Sequence, residues 1–205
     1  MLVIAGEFPP VGGGGVIRVV KLIKYLIPLG WQVTVLCSEE PPLEHTDDTL
    51  LEELPEDLRV FRVAHPMGRY ARGLTSAAKT RMDRRSRPFR LLRRIRSVLR
   101  TPMAIPDRWA PWALFLAFRP PPGIGRPDVI LSSGPPNSAH LLGARLSRRM
   151  NVSFVMDLRD EWTLRPSHLA GPRWRRWLER RLESRSIASA SRVVVVSAAS
   201  VERYA

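Results

Sequence analysis

MLVIAGEFPPVGGGGVIRVVKLIKYLIPLGWQVTVLC, residues 1–37, reads as strand, glycine loop, helix and strand in immediate succession. Residues 2–5 (LVIA) are a short apolar run of strand length, and Gly12 to Gly15 form a loop free of side chains. Residues 16–29 have helical period: Arg18, Lys21 and Lys24 recur every third position among Val16, Ile17, Val19, Val20, Leu22, Ile23 and Leu26. That spacing predicts a mostly buried helix with a narrow polar stripe. Pro28 and Gly30 end it, and residues 32–37 (QVTVLC) give a second strand. Two strands joined through a helix lie parallel, so this opening predicts a parallel sheet.

The same alternation continues downstream. Strands are expected at 59–64 (RVFRVA), 128–132 (DVILS), 152–157 (VSFVMD) and 192–197 (RVVVVS). Helices are expected at 109–119, about 137–149 and about 173–190, with a final helical turn from Ala198. The acidic stretch from Glu39 to Asp57 reads as loop or short helix. Residues 67–108 break the rhythm as a Gly- and Arg-rich insertion containing a candidate helix at about 87–100. The expected fold is α/β and Rossmann-like: one domain over residues 1–205, with a mostly parallel sheet and helices on both faces.

Length and composition agree with this. A chain of 205 residues, 44% hydrophobic and 25% charged, is long enough for one α/β domain with a core. No apolar run reaches the length of a membrane span, and the start lacks the basic flank and long apolar stretch of a signal peptide. The single cysteine, Cys37, lies in an apolar strand, so a buried thiol and a reducing, cytoplasmic location are expected. The formal net charge is +14 and only three of the 33 basic residues are lysine, Lys21, Lys24 and Lys79. Such a charge favours an anionic lipid, a nucleic acid or a phosphorylated substrate. An arginine bias from a GC-rich genome explains the same count.

Three strand-to-helix turns carry residues that chemistry can use. In GEFPPVGGGGVIR (6–18), glycines let a ligand approach the backbone, and the helix N-terminus supplies positive potential. The spacing is neither a dinucleotide fingerprint nor a P-loop, and a flexible loop needs no more than these glycines. In SSGPPNSAH (132–140), Ser132 and Ser133 end a strand at the edge where open parallel sheets bind ligands. Asn137 or Ser138 is a natural N-cap, and capping alone accounts for these small polar residues. His140 lies one turn into the helix, as a catalytic candidate or a packed histidine. In MDLRDEW (156–162), Asp157, Arg159 and Asp160 place two carboxylates and a guanidinium at one sheet edge. Group transfer to a hydroxyl needs such a base and such a cation. A simple Asp157–Arg159 pair holding the loop fits equally.

The run FPPVGGGGVIRVVKLIKYLIPLGWQVTVL, followed by PDVILSSGPPNSAHLLGARLSRR, DLRDEW and ASRVVVVSAASVERY, resembles the opening domain of family 4-type glycosyltransferases. These are two-domain GT-B enzymes with a cleft between Rossmann-like halves. The resemblance implies that Gly12, Gly13, Gly14 and Gly15 face acceptor and donor phosphates, with Arg18 as the helix-borne base. Ser133, Asn137 and Arg159 become further contacts, and Asp160, Asp157 and His140 the catalytic candidates. Many members place a histidine near the 157–160 turn; Asp and Arg stand here, as in a subset acting in envelope polysaccharide assembly.

It further implies retaining, metal-independent hexosyl transfer from a nucleotide-sugar donor to a lipid-linked or envelope saccharide, with no cofactor. The donor-gripping residues of such enzymes lie in a C-terminal domain absent from this sequence, which stops in or just after its last helix. An incomplete and inactive fragment, or half of a split enzyme, is therefore expected. No metal site is read, because His45, His65, His140, His168 and Cys37 lack ligand spacing.

RMDRRSRPFRLLRRIRSVLR (81–100) carries nine arginines and one acid among apolar residues. On a helix from 87, Leu91, Leu92, Ile95, Val98 and Leu99 share a face, and Arg90, Arg93 and Arg94 belong to the cationic remainder. That is the pattern of a helix in an anionic membrane interface, here the inner membrane face. A solvated helix packed on its own domain has the same pattern. Two rival functions stay open: a non-catalytic binding module derived from such a domain, and a basic nucleic-acid-binding Rossmann domain. The absence of any recognition-helix, zinc or RNP-type motif argues against nucleic acid.

Overall fold

A computed structural model of the chain describes residues 1–39, 46–66, 105–165, 168 and 172–204. The strands are β1 (Leu2–Ala5), β2 (Thr34–Ser38), β3 (Arg59–Val63), β4 (Val129–Gly134), β5 (Ser153–Leu158) and β6 (Arg192–Val195). Between and after them run α1 (Gly14–Leu26), the short α2 (Thr49–Glu52), α3 (Ala110–Phe118), α4 (Ser138–Met150), α5 (Arg173–Ser189) and α6 (Ala198–Tyr204). The six strands form one parallel sheet in the order β3-β2-β1-β4-β5-β6. This is the α/β Rossmann-like architecture that the alternation predicts.

Period-two alternation divides β1 between the faces. Leu2 and Ile4 join Leu36, Ile130, Phe154 and Met156 in a core roofed by α3 and α4. Val3 and Ala5 join Val35, Cys37 and Leu131 beneath α1, whose Val16, Val19, Val20 and Ile23 are buried at i, i+3, i+4, i+7. Strands buried on both faces lose the polar alternation of a half-exposed sheet, and hence read as continuous apolar runs.

The structure adjusts several boundaries. Helix α1 starts at Gly14 rather than 16 and ends at Leu26, and a single 3₁₀ turn at Ile27–Leu29 carries the remainder to Gly30. Gly14 and Gly15 are thus helical, not loop. Ile17 and Tyr25 are exposed beside Arg18, so the wet side of α1 is broader than the three-residue polar repeat suggests. Lys21 and Lys24 converge on Glu53, at 2.5 and 2.7 Å. Most of the basic insertion expected at 67–108, including Arg90, Leu91, Arg93, Arg94 and Ile95, lies outside the described residues.

Cys37 is fully buried in β2, and burial pushes its thiol up to about 12, against the opposing charge of Arg62. The thiolate is the reactive form, so native protein at pH 8 should resist a thiol reagent and label promptly in denaturant. Labelling of native protein at the rate of a free thiol would contradict this burial.

Among the described residues no helix is long and apolar enough to cross a membrane.

Candidate functional site

The strand order reverses between β1 and β4. From β1 the chain proceeds outward through β2 and β3, and from β4 outward the other way. Connections leaving two neighbouring parallel strands in opposite directions open a crevice at their carboxyl ends. Gly6–Gly15 follows β1, Pro135–Asn137 follows β4 and Arg159–Asp160 follows β5, so the three turns meet there.

Their contacts are specific. Arg18, one turn into α1, donates from Nε and Nη2 to the two carboxylate oxygens of Asp157 at 3.1 and 2.7 Å. Ser133 Oγ donates to Asp157 Oδ2 at 2.8 Å. The Asp157 hydrogen bond holds the Arg18 guanidinium above its ordinary value, with partial burial opposing. Asp157 is buried, whereas the Arg18 side chain remains 40% exposed. A fork-to-carboxylate pair thus ties α1 to β5 across β4.

Arg159 joins the other two turns. Its backbone N–H donates to Gly134 O at 3.0 Å, and its Nη2 donates to Pro135 O. The guanidinium lies directly over Gly15, so a Cβ there would force the Arg159 side chain to shift. Burial pulls Arg159 below its ordinary value, while Asp157, Asp160 and Glu7 oppose the shift. Asp160 and Glu7 are both exposed at this edge.

Of the expected site residues, Gly13 and Gly14 are exposed at the mouth, with Gly12 and Gly15 half-buried. Gly13 caps α1 with φ 122°, a conformation favouring glycine. Ser133 and Asp157 are turned into the fold by their mutual hydrogen bond. Asn137 is buried and its side chain does not cap α4. Asp107 does so instead, accepting from Ser138 N–H at 3.0 Å and Ser138 Oγ at 2.6 Å. Sequence reasoning missed Asp107, since a cap supplied 31 positions away leaves no local spacing to find.

His140 is fully buried, sharing a 2.7 Å hydrogen bond with Ser132 Oγ through Nδ1, and its ring fills the space a Gly134 side chain would need. Desolvation pushes its pKa down to about 3, Asp157 partly opposing. The imidazole is therefore neutral in the fold and titrates near 6.5 when unfolded. Between those values the unfolded chain binds the extra proton, so stability falls as pH drops from about 6.5 towards 3, by about 1.4 kcal/mol per unit at steepest. His140→Gln should flatten that part of the stability–pH curve, as measured by urea unfolding between pH 7 and 4. An unchanged slope would assign the acid sensitivity elsewhere.

Behind the 159–165 loop is a second polar cluster. Glu183 accepts from Thr163 N–H at 3.2 Å, from Thr163 Oγ1, and from Tyr204 Oη at 2.8 Å, and Tyr204 Oη accepts from Trp162 N–H at 3.1 Å. Burial, with the Glu183 carboxylate adding to it, raises the Tyr204 phenol. Glu179, also buried, meets Arg175 and His168. This cluster fixes the loop that carries Asp160. Among the described residues no group of three His, Cys, Asp or Glu stands where it could hold a metal ion.

The solved structure of Anabaena Alr3699/HepE in complex with UDP-glucose is similar at 13% identity and a TM-score of 0.41, over 100% of this chain and 48% of that one. The chain thus spans about half the length of that protein. No curated protein matches it. The model of the glycosyl transferase 4-like domain matches residues 13–205, which takes in the glycine turn from Gly13, Arg18 and both later turns of the crevice. The chain belongs to the glycosyl transferase 4-like family.

Proposed function

We propose that the chain is the acceptor-side, N-terminal half of a two-domain GT-B glycosyltransferase, which transfers a hexose from a nucleotide sugar with retention of configuration. The observation that carries this reading is the convergence of the α1 N-terminus, Arg159 and Asp160 at the strand-order reversal, in a chain of this family. In the transfer, the acceptor hydroxyl oxygen bonds to the anomeric carbon as that carbon's bond to the phosphate oxygen breaks. The new bond forms on the same face from which the phosphate oxygen departs, so configuration is retained. The nucleoside diphosphate leaves with the electron pair, and the hydroxyl proton passes to a carboxylate.

Helix N-termini leave their first N–H groups without intrahelical partners. The first turn of α1 and the Arg159 guanidinium therefore suit the departing diphosphate. Asp160, exposed beside Arg159, suits the acceptor proton. Asp157 and His140 suit positioning, since the first is occupied by Arg18 and Ser133 and the second is enclosed and neutral. The acceptor is a lipid-linked or envelope saccharide, presented at the inner face of an anionic membrane. The internal pairing of Arg18, Asp157 and Ser133 favours a second reading, a non-catalytic module that keeps the crevice as a binding surface.

A half-site in an open, hydrated crevice binds weakly after ordering costs. Calorimetry of this chain with UDP- and GDP-sugars should give roughly millimolar affinity, with no product from a lipid acceptor. Micromolar binding or turnover by the chain alone would sink the half-enzyme reading. An in-frame second Rossmann domain in the DNA after Ala205 would support it.

A further inference from the structure

An amphipathic surface helix turns a polar face to water. Helix α3, APWALFLAF, has no charged residue at all. Trp112, Ala113, Leu116 and Ala117 are buried against the core, while Leu114 (62%), Phe115 (41%) and Phe118 (65%) face outward. Beside it an apolar groove of about 550 Å³ runs between α3 and α4, floored by Ala113, Leu141 and Leu142, with Arg145 and Leu182 contributing to its lining. Ile105 also lines it, two residues from the Asp107 that caps α4 at the crevice edge.

Helix α5 adds the opposite of ordinary amphipathicity. Its two acids, Glu179 and Glu183, are buried, and its outer side presents Trp174, Trp177, Arg173, Arg180, Arg181 and Arg185. Helices α3 and α4 contain no acid. Arg181 lies over the Trp177 ring at 5.6 Å, and Arg145 over Phe118 at 6.0 Å. This face is therefore apolar at α3, aromatic and cationic at α5, and without an exposed carboxylate on any of the three helices.

We infer that the outer face of α3, α4 and α5 docks on an anionic lipid bilayer. Leu114 and Phe118 enter the acyl boundary, Trp174 and Trp177 sit at headgroup level, and Arg145, Arg180 and Arg181 meet lipid phosphates. Exposed apolar side chains gain from leaving water, tryptophan prefers the interface, and clustered arginines are drawn to anionic headgroups. A nucleic acid would gain little from a groove walled by leucine and alanine. Two copies of this face would set arginines against arginines. The inference stands without the transferase reading and rests on other residues than 81–100.

The test is co-sedimentation of the full chain with vesicles of phosphatidylcholine, alone or mixed with phosphatidylglycerol. Binding should require the anionic lipid and weaken with salt. Leu114→Gln with Phe118→Gln should lower the partition coefficient about tenfold or more. Arg180→Gln with Arg181→Gln should lower it by about 25-fold at low salt, roughly fivefold per arginine. Tyr25→Gln, exposed on α1 over the other sheet face, should leave it unchanged, and all three variants should keep the wild-type circular dichroism. Undiminished partition by both the α3 and the α5 variants would overturn the assignment, even if the protein binds membranes elsewhere. So would equal binding to neutral vesicles, no binding to either, or a dimer or RNA complex that the same variants abolish in a chain that ignores lipid.

Discussion

Arg18→Ala should lower stability by about 3 kcal/mol at neutral pH, more than Asp157→Asn, which should cost about 1–2 kcal/mol. The asymmetry follows from burial. Asp157 is 4% exposed at its side chain and Arg18 40%. Without the guanidinium, a buried carboxylate keeps only the Ser133 hydroxyl, and orphaning one partner of a buried pair costs about 3–5 kcal/mol. Water entering where Arg18 stood brings the figure to the lower end. The asparagine of the second variant would retain shape and an oxygen for Ser133, and would leave Arg18 free to turn into solvent. Urea unfolding measures both. Equal losses, or a larger loss for Asp157→Asn, would mean the pair is not buried as described.

Glu183→Ala should be comparably severe, at about 3–4 kcal/mol. Its carboxylate receives three hydrogen bonds, two from the buried Thr163, and steadies Tyr204 against the Trp162 backbone. Hydrogen bonds to charged groups contribute about 1.5–3 kcal/mol each, and buried donors left unpaired add a desolvation cost. Local relaxation of the loop returns part of the sum. In a chain of this size each kcal/mol moves the melting temperature by roughly 2–4 °C, so a fall of roughly 6–16 °C is expected. Glu183→Gln, which keeps an acceptor, should fall less than half as far. A loss below about 1 kcal/mol for the alanine variant would show that water replaces these bonds.

The sheet was legible because its signal is local. Strands buried on both faces need apolar runs, and the helices between them need a 3.6-residue stripe, so β1, α1 and β2 can be read within 37 residues. The meeting of the three turns followed from parallel connections. What could not be read depended on partners distant in sequence. Nothing around Asp107 marks it as the cap of α4, and nothing around Asp157 says that Arg18 rather than Arg159 takes its carboxylate. RWRRWLERR (173–181), with Trp174 and Trp177, reads either as a basic, aromatic membrane-interface segment or as a solvated helix packed on its domain, and neither reading marks Glu179 and Glu183 for burial. The fold buries both glutamates: Glu183 accepts from Thr163 N–H and Oγ1 and from Tyr204, and Glu179 meets Arg175 and His168. His140 was readable as a helix residue, but its burial depended on Gly134 leaving room for the ring.

The join between β1 and β4 also governs the order of assembly. Leu2 lies beside Thr34 on one side and beside Ile130 on the other. During synthesis β1 can therefore pair early with β2, yet its second edge waits until β4, far downstream of β2, has been made. Closing so long a loop is costly in entropy before any contact rewards it, and parallel pairing across it is intrinsically slow. During that wait the apolar edge of β1 is open to wrong partners. Substitutions along β1 and β4 should therefore act on the refolding rate, and those at the outer strand β6 on the unfolding rate.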